Sequence, residues 1–307
     1  MSKSVAILGE CMLELSHENS LSNKNDLKSV FYGGDTLNTS IYLARNDINV
    51  SYITALGDDK YSDWLVDSWT SENIDCSLVK RISNRMPGLY MINVDNKGER
   101  SFMYWRDTSA AKIFFADTKE FSNTLSLLRS FTHIYLSGIT LALMSDDTLN
   151  ELFLFLSSYK KEGGVIIFDS NYRSNLWSNP DTTKAVYKNM YKLTDIALPT
   201  FEDEASLFNY RTEKEVIDSI RSYNVNEVVL KMGVNGCTYF ENEDYVNVSA
   251  NIVELKDSTA AGDSFNAGYL SSRLKGKTIR ESCVDGHFLA SQVVQFKGAI
   301  IPKEKYI

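Results

Sequence analysis

The segment Asp257–Phe265 (Asp-Ser-Thr-Ala-Ala-Gly-Asp-Ser-Phe) carries the residue types best suited to chemistry in this chain. Its small residues permit close ligand approach, and an apolar periodicity predicts a helix at about 261–274. Unpaired N–H groups at the start of a helix attract anions such as phosphate. Asp263 would repel an anion there unless its task is to accept a proton from an attacking hydroxyl. The alternative is that Asp263 caps the helix, and the segment alone leaves both interpretations open.

A second polar segment, Gly33–Asn38 (Gly-Gly-Asp-Thr-Leu-Asn), leads into a helix predicted at about 36–46. Paired glycines allow unusual backbone angles and close approach of a ligand. Asp35, Thr36 and Asn38 offer hydrogen-bond donors and acceptors that suit a polyol. A simple turn before a helix would use the same glycines, so this segment by itself does not establish a sugar site.

Several common site types are excluded by the sequence. It contains no Gly-x-x-x-x-Gly-Lys-Ser/Thr loop, no Gly-x-Gly-x-x-Gly fingerprint and no His-Glu-x-x-His pair. Its four cysteines are far apart without Cys-x-x-Cys spacing, which predicts free thiols rather than a zinc site or a disulfide framework. The net charge of −8 argues against nucleic acid as a partner, because such binding needs clustered Lys and Arg.

Strand-like and helix-like patterns alternate along residues 1–307, which predicts a single α/β domain with a mostly parallel central sheet and helices on both faces. The apolar run Val5–Leu8 is too short for a signal peptide, and no run of about 18 apolar residues occurs. We therefore expect a cytoplasmic protein without a membrane partner. The predicted strands are Val5–Leu8, Val50–Ala55, His133–Leu136, Val165–Phe168, Ile196–Leu198 and Glu227–Lys231. The further predicted helices lie at about 60–72, 145–160, 183–192, 202–208, 213–222 and 279–296.

The region 76–106 departs from this alternation. Its two β-rich runs, Leu89–Val94 and Arg100–Tyr104, are joined by turn residues at 95–98, which predicts an antiparallel hairpin. We expect this hairpin, at about 88–106, to form a small β-sheet lid with residues 11–16 and 28–33. A surface hairpin without a function is the alternative.

The two polar segments together resemble the signatures of the PfkB (ribokinase-like) family of carbohydrate kinases. The first has the form Gly-Gly-x-x-x-Asn, and the second is similar to Asp-Thr-x-Gly-Ala-Gly-Asp. The segment Lys231–Gly236, after a predicted strand, resembles the nucleotide-site turn of that family. The resemblance covers the whole chain in order. It is closest to the family's 2-keto-3-deoxygluconate kinases in the stretches Gly9–Met12, Phe31–Thr39, Pro87–Tyr90, Tyr104–Arg106, Asp169–Arg173 and Gly298–Pro302.

The resemblance implies transfer of the γ-phosphoryl group of ATP, with Mg²⁺, to the 6-hydroxyl of 2-keto-3-deoxygluconate. Asp263 would be the base, and Arg173 would offset negative charge between the two substrates. Glu204 is the implied metal contact, through water. The implied anion hole consists of Ala261 and Gly262 with the N–H of Asp263, next to Ala260. The implied nucleotide-binding residues are Asn171, Lys231, Gly233, Gly236, Ala260, Ala261 and Gly262.

A carboxylated sugar requires a cation in its site, and Arg106 fits that need because a guanidinium matches a carboxylate. Arg106 and Tyr104 lie two residues apart, on one face of the predicted hairpin, and Tyr90 lies on the partner strand. The expected sugar-binding residues are Gly33, Gly34, Asp35, Asn38, Tyr90, Tyr104, Arg106, Arg173 and Asp263. The alternatives are a PfkB-type kinase of a neutral sugar, fructokinase- or ribokinase-like, and a catalytically silent sensor on the same fold.

Two departures from the family pattern affect the expected site. Ala260 replaces the first glycine of the second signature, and its methyl group narrows the accessible φ range. Phe201 replaces the asparagine of an Asn-x-x-Glu element in which Glu204 is kept. Some relatives carry an acidic residue where Ala299 stands, so Ala299 is left without a role.

The resemblance also implies a homo-oligomer, a dimer formed through the lid. The lid face that bears Leu89, Met91, Met103 and Trp105 would bury apolar area against a second copy.

Overall fold

The structure is a computed structural model that describes residues 3–16, 29–94 and 100–306. The predicted turn at 95–98 and residue 28 of the predicted lid lie outside these residues. In the described ranges, no helix is both long enough and apolar enough to cross a membrane.

Strands and helices alternate along much of the chain. The strands are β1 (Ser4–Leu8), β2 (Met12–Ser16), β3 (Ser29–Gly33), β4 (Asn49–Ile53), β5 (Ala55–Leu56), β6 (Lys80–Arg81), β7 (Gly88–Val94), β8 (Arg100–Trp105), β9 (His133–Ser137), β10 (Val165–Asp169), β11 (Ile196–Ala197), β12 (Glu227–Lys231), β13 (Cys237–Glu241) and β14 (Asp244–Val248). The α-helices are α1 (Asp35–Arg45), α2 (Lys60–Ser71), α3 (Ala110–Ala116), α4 (Thr118–Leu127), α5 (Gly138–Ala142), α6 (Asp146–Lys161), α7 (Pro180–Leu193), α8 (Phe201–Phe208), α9 (Glu213–Arg221), α10 (Ala261–Leu274) and α11 (Ile279–Val293).

A mostly parallel sheet of eight strands forms the centre of the protein, in the order β14-β13-β12-β11-β10-β9-β1-β4. All neighbouring strands from β12 to β4 run parallel. Strand β13 pairs antiparallel with both β12 and β14. Successive residues of a strand point to opposite faces, so Ile134 and Leu136 join one core cluster and Tyr135 joins the other. Helices α3, α4, α6, α7 and α9 cover the first face, and α1, α2, α10 and α11 cover the second. The predicted fold class is confirmed.

A small sheet of four strands, in the order β3-β2-β7-β8, lies apart from the central one and is hereafter called the small sheet. Its predicted hairpin is present, because β7 and β8 pair antiparallel with Tyr90 opposite Tyr104. Strand β2 pairs parallel with β7 and antiparallel with β3. The chain therefore passes between the main domain and the small sheet four times: after β1, after β3, before β7 and after β8.

Several elements were not predicted from the sequence. The hairpin of β13 and β14 turns at Asn242 and Glu243, which have φ values of 51° and 70°. Such a turn is usually signalled by glycine, and glycine is absent here. Helices α3, α4 and α5 were also missed, since α3 and α5 are short and α4 follows α3 with only Asp117 between them.

Candidate active site

Helix α10 begins at the signature segment, and the residue before it has a left-handed backbone. Ala260 has φ 61° and ψ 16°, at the position where the family pattern has glycine. A non-glycine residue held there costs on the order of 1–2 kcal/mol. Such strain is often found where a backbone is shaped for a ligand. The first turn of α10 leaves N–H groups without intrahelical acceptors, although that of Ala261 donates to the Ser258 carbonyl oxygen at 3.2 Å.

Asp263 lies inside the first turn of α10 and is not the residue that caps it, which excludes the capping interpretation. Its side chain is 9% exposed, and its Oδ2 accepts a hydrogen bond of 2.8 Å from Asn38 Nδ2 on α1. Burial, followed by the nearby carboxylate of Asp35, raises the pKa of Asp263 to about 7. A carboxyl with that pKa exchanges its proton near neutral pH, as a general base must.

Two buried amide oxygens close to Asp263 and Asp35 have no hydrogen-bond partner among the described residues. They are Oδ1 of Asn38 and Oδ1 of Asn171. The amide nitrogen of Asn38 is bonded to Asp263, and that of Asn171 donates to Asp35 Oδ2 at 3.0 Å. A buried polar atom without a partner is costly. Both oxygens are therefore suited to accept hydrogen bonds from the hydroxyls of a ligand.

The small sheet approaches this group of residues at Gly33. A Cβ atom added to Gly33 would lie 3.2 Å from the Tyr90 hydroxyl oxygen, 3.7 Å from Asn38 Oδ1 and 3.8 Å from Ala299 Cβ. The ring of Tyr104 lies 6.0 Å from that of Tyr90. Gly33 is thus the point where the small sheet, α1 and the C-terminal segment meet. A larger residue there would fill the space next to Asn38.

Lys231 lies under the start of α10 and belongs to a buried polar network. Its ammonium donates to Asp169 Oδ1 at 3.1 Å and to Asn266 Oδ1 at 2.9 Å. Asn266 in turn donates to Asp169 Oδ2 at 2.8 Å. A Cβ atom on Gly262 would lie 3.7 Å from Lys231 Nζ. Lys231 is therefore adjacent to the predicted anion hole, with its charge balanced by Asp169.

The turn after β12 uses both of its predicted glycines in left-handed conformations. Gly233 has φ 55° and Gly236 has φ 91°. A Cβ atom on Gly236 would approach the Val248 carbonyl oxygen to 2.1 Å, so only glycine fits this position. This turn follows the carboxyl end of a parallel strand, where ligands of α/β sheets commonly bind.

The two predicted site arginines are each paired with a carboxylate of the chain. Arg106 is 9% exposed and its Nη2 donates to Glu10, while its Nε has no partner in the described part of the chain. The Arg173 side chain is 50% exposed and contacts Asp203 Oδ1 at 3.2 Å. No hydrogen bond or ion pair between described residues joins either arginine to Asp263.

Glu204 is fully buried, and its Oε1 accepts a hydrogen bond from the Tyr191 hydroxyl. Its Oε2 lacks a partner among residues that the structure describes. Burial raises the pKa of Glu204 to about 7. Across the described ranges, no three His, Cys, Asp or Glu side chains converge to hold a metal ion.

Several residues of this site, among them Asn266, Asp169 and Glu10, were not assigned from the sequence. Asn266 lies three positions after Asp263 on α10, and that helical spacing could have identified it. Asp169 and Glu10 lie within stretches that carry the family resemblance, but no role was predicted for either of them. Their partners, Lys231 and Arg106, are 62 and 96 residues away along the chain, so no local pattern indicates these contacts.

The arrangement combines a proton acceptor, an anion-binding helix start and unpartnered amide oxygens. These features suit the transfer of an anionic group to a hydroxyl, a reaction that depends on positioning and charge stabilisation. The site lies at the carboxyl ends of the parallel strands, with the small sheet beside it.

Known proteins match the chain over nearly its whole length. The pfkB family carbohydrate kinase model matches residues 2–305. The chain is 43% identical to 2-dehydro-3-deoxygluconokinase of Escherichia coli (strain K12), over 99% of each chain. It is 39% identical to 2-dehydro-3-deoxygluconokinase of Dickeya dadantii (strain 3937), over 98% of each.

A solved structure shows the same fold. It is a putative ribokinase II from E. coli in complex with ATP and Mg²⁺, with a TM-score of 0.84. Alignment covers 97% of this chain and 94% of that one, at 20% sequence identity. At that identity the likeness shows the fold alone.

Proposed function

The chain belongs to the pfkB family of carbohydrate kinases, and from this we propose that it phosphorylates 2-dehydro-3-deoxygluconate, also called 2-keto-3-deoxygluconate. ATP donates its γ-phosphoryl group to the 6-hydroxyl of this acid sugar. The relatives with 36–43% identity carry the name of this activity. The kinase class follows from the family, and the roles of individual residues are part of the proposal.

One observation carries the proposal: Asp263, bonded to Asn38, lies next to the space around Gly33 and Tyr90. A sugar in that space has its hydroxyls near the amide oxygen of Asn38 and its reactive hydroxyl near Asp263. Asp263 accepts the proton of that hydroxyl. The start of α10 binds the transferred phosphoryl oxygens as charge develops on them.

The remaining predicted residues take supporting roles. Arg106 and Tyr90 bind the carboxylate end of the sugar. Arg173 leaves its ion pair with Asp203 and offsets the negative charge that develops between the two substrates. The turn at Gly233 and Gly236 borders the nucleotide. The small sheet acts as the lid that excludes water and limits ATP hydrolysis.

The residues fit a magnesium ion that is held chiefly by the nucleotide. Magnesium prefers oxygen ligands and keeps several waters. Glu204 offers one oxygen without a partner among the described residues. The ion would neutralise charge on the phosphates, and Glu204 would contact it through water.

Identification of the product tests this proposal. The protein is incubated with ATP, Mg²⁺ and 2-dehydro-3-deoxygluconate, and ³¹P NMR locates the new phosphoester. We expect a single 6-phosphate ester, with one ADP released per ester formed. ADP release without an ester, or an ester only with fructose or ribose, would contradict the proposed substrate.

The activity should depend on pH through Asp263. The base must be ionised, and burial with the Asp35 charge raises its pKa to about 7. At saturating ATP, we expect kcat/KM for the sugar to rise about tenfold per pH unit below pH 7 and to level off above it. A profile that is flat from pH 5 to 8 would contradict the assignment.

We also propose that the protein forms a dimer through its small sheet. Leu89 pairs with Trp105 and Met91 with Met103 across β7 and β8, which places four apolar side chains on one face. Met103 and Trp105 are each 49% exposed. Sedimentation at micromolar concentration should show a dimer, and Met103→Asp should shift it to a monomer. A monomeric wild-type protein would contradict this part of the proposal.

A further inference from the structure

Glu10 lies where the chain passes between the main domain and the small sheet. It follows β1 and precedes β2, so it occupies the first of the four connections. The second is at Gly34, where a Cβ atom would lie 2.2 Å from the Glu10 carbonyl oxygen. The third is at Gly88, where a Cβ atom would lie 3.0 Å from Glu10 Oε1. The fourth leaves β8 through Arg106, whose side chain binds Glu10.

Both carboxylate oxygens of Glu10 are engaged by residues of this fourth connection. Oε2 accepts from Arg106 Nη2, and Oε1 accepts from the hydroxyl of Ser109, the residue that caps α3. Glu10 is 2% exposed. Burial raises its pKa, and the guanidinium of Arg106 opposes that effect most strongly. These contacts therefore hold the segment that follows β8 against the segment that follows β1.

Arg106 needs a counter-charge because a buried guanidinium is costly without one. Glu10 provides it through one nitrogen of the guanidinium. The buried Nε of Arg106 keeps an N–H with no partner in the described ranges. The guanidinium is thus neutralised and oriented while it retains a donor for a second carboxylate.

We propose that Glu10 is the positioning residue for Arg106: it holds the guanidinium that receives the sugar carboxylate, and it links that contact to the connections between the small sheet and the main domain. This inference rests on the proposed function, because it assumes that Arg106 binds the carboxylate. Glu10 touches neither substrate. It acts through Arg106, and its effect disappears when Arg106 is removed.

A double-mutant cycle tests this coupling. The variants are Arg106→Ala, Glu10→Ala and the double variant, with Glu10→Gln as a conservative change that keeps a hydrogen-bond acceptor. We expect Glu10→Ala to raise KM for the acid sugar about tenfold and Glu10→Gln about threefold, because the amide accepts a weaker hydrogen bond than the carboxylate. KM for ATP should change less than twofold. In the Arg106→Ala background, neither change at position 10 should raise KM further.

Glu227→Gln is the matched control. Glu227 is a buried carboxylate that accepts a 2.7 Å hydrogen bond from Arg273, at the start of β12 and away from the site. The Glu227→Gln variant should leave KM for the acid sugar unchanged and should lower the midpoint of thermal unfolding. If Glu10→Ala does not fold, the cycle with Glu10→Gln carries the same test.

The outcomes separate two failures. If Arg106→Ala raises KM and a change at Glu10 raises it again by the same factor in that background, the positioning role is wrong and the proposed function stands. A rise in KM for ATP equal to that for the sugar would also overturn the role, since it indicates a general structural defect. If Arg106→Ala leaves KM for the acid sugar unchanged, the carboxylate contact itself is wrong.

Discussion

Asp263→Asn is expected to lower kcat about 10³-fold while KM for ATP and for the acid sugar change less than threefold. General-base catalysis contributes about 10²–10⁴-fold to a rate, and the neutral amide cannot accept the hydroxyl proton. The hydrogen bond from Asn38 has an acceptor in either side chain, so the geometry of the first turn of α10 is kept. Initial-rate kinetics with both substrates varied separates the two parameters.

The stability of Asp263→Asn provides the control for this result. The folded pKa of Asp263 is about 7, above its ordinary value of 3.8. The folded state therefore binds the proton more tightly, and stability is lost as pH rises through that window. The neutral variant should be at least as stable as the wild type at pH 8 in urea unfolding. Near-normal turnover by this folded variant would show that Asp263 is not the base.

Arg106→Ala is expected to lower kcat/KM for 2-dehydro-3-deoxygluconate at least 30-fold. Truncating one partner of a buried charged hydrogen bond costs about 2–5 kcal/mol, and about 1.4 kcal/mol corresponds to a factor of ten. Loss of the guanidinium should raise the pKa of Glu10 further, because Arg106 opposes the effect of burial most strongly, and a neutral carboxyl is less costly to bury. Any turnover with fructose should change less than threefold, because fructose has no carboxylate.

Arg273→Ala is the matched control for Arg106→Ala. Arg273 pairs with the buried Glu227 at 2.7 Å but lies at the far end of α10 from the site. It should lower the thermal midpoint without changing kcat/KM. Equal losses for the acid sugar and fructose in Arg106→Ala would indicate a misfolded small sheet instead of a lost carboxylate contact.

Elements whose residues are close together in the sequence, such as the buried strands and the hairpin of β7 and β8, were predictable. Strands β1, β9, β10 and β12 are buried at nearly every residue, as their short apolar runs predict. The parallel sheet follows from the alternation of such runs with helices. The left-handed backbone of Ala260 was not predicted, since its methyl group narrows the φ range, yet the structure has φ 61° there. The hairpin of β7 and β8 was indicated by two β-rich runs around turn residues.

The charge partners of the site could not be predicted from the sequence. Arg106 was expected to bind the carboxylate of a ligand, and the structure shows that its Nη2 already donates a hydrogen bond to Glu10. Lys231 was expected at the nucleotide, and its ammonium is bonded to Asp169 and Asn266. Such pairs depend on tertiary contacts between segments that are distant in the sequence. Neither hydrophobic periodicity nor motif spacing indicates these contacts.

The central claim is that this kinase accepts a carboxylated sugar, and the most direct test is a comparison of acceptors with the wild-type protein. Coupled-assay measurements of kcat/KM, at saturating ATP and Mg²⁺, are made with 2-dehydro-3-deoxygluconate, fructose and ribose. We predict a value for the acid sugar at least 100-fold above that for either neutral sugar. An equal or higher value for fructose or ribose would contradict the account.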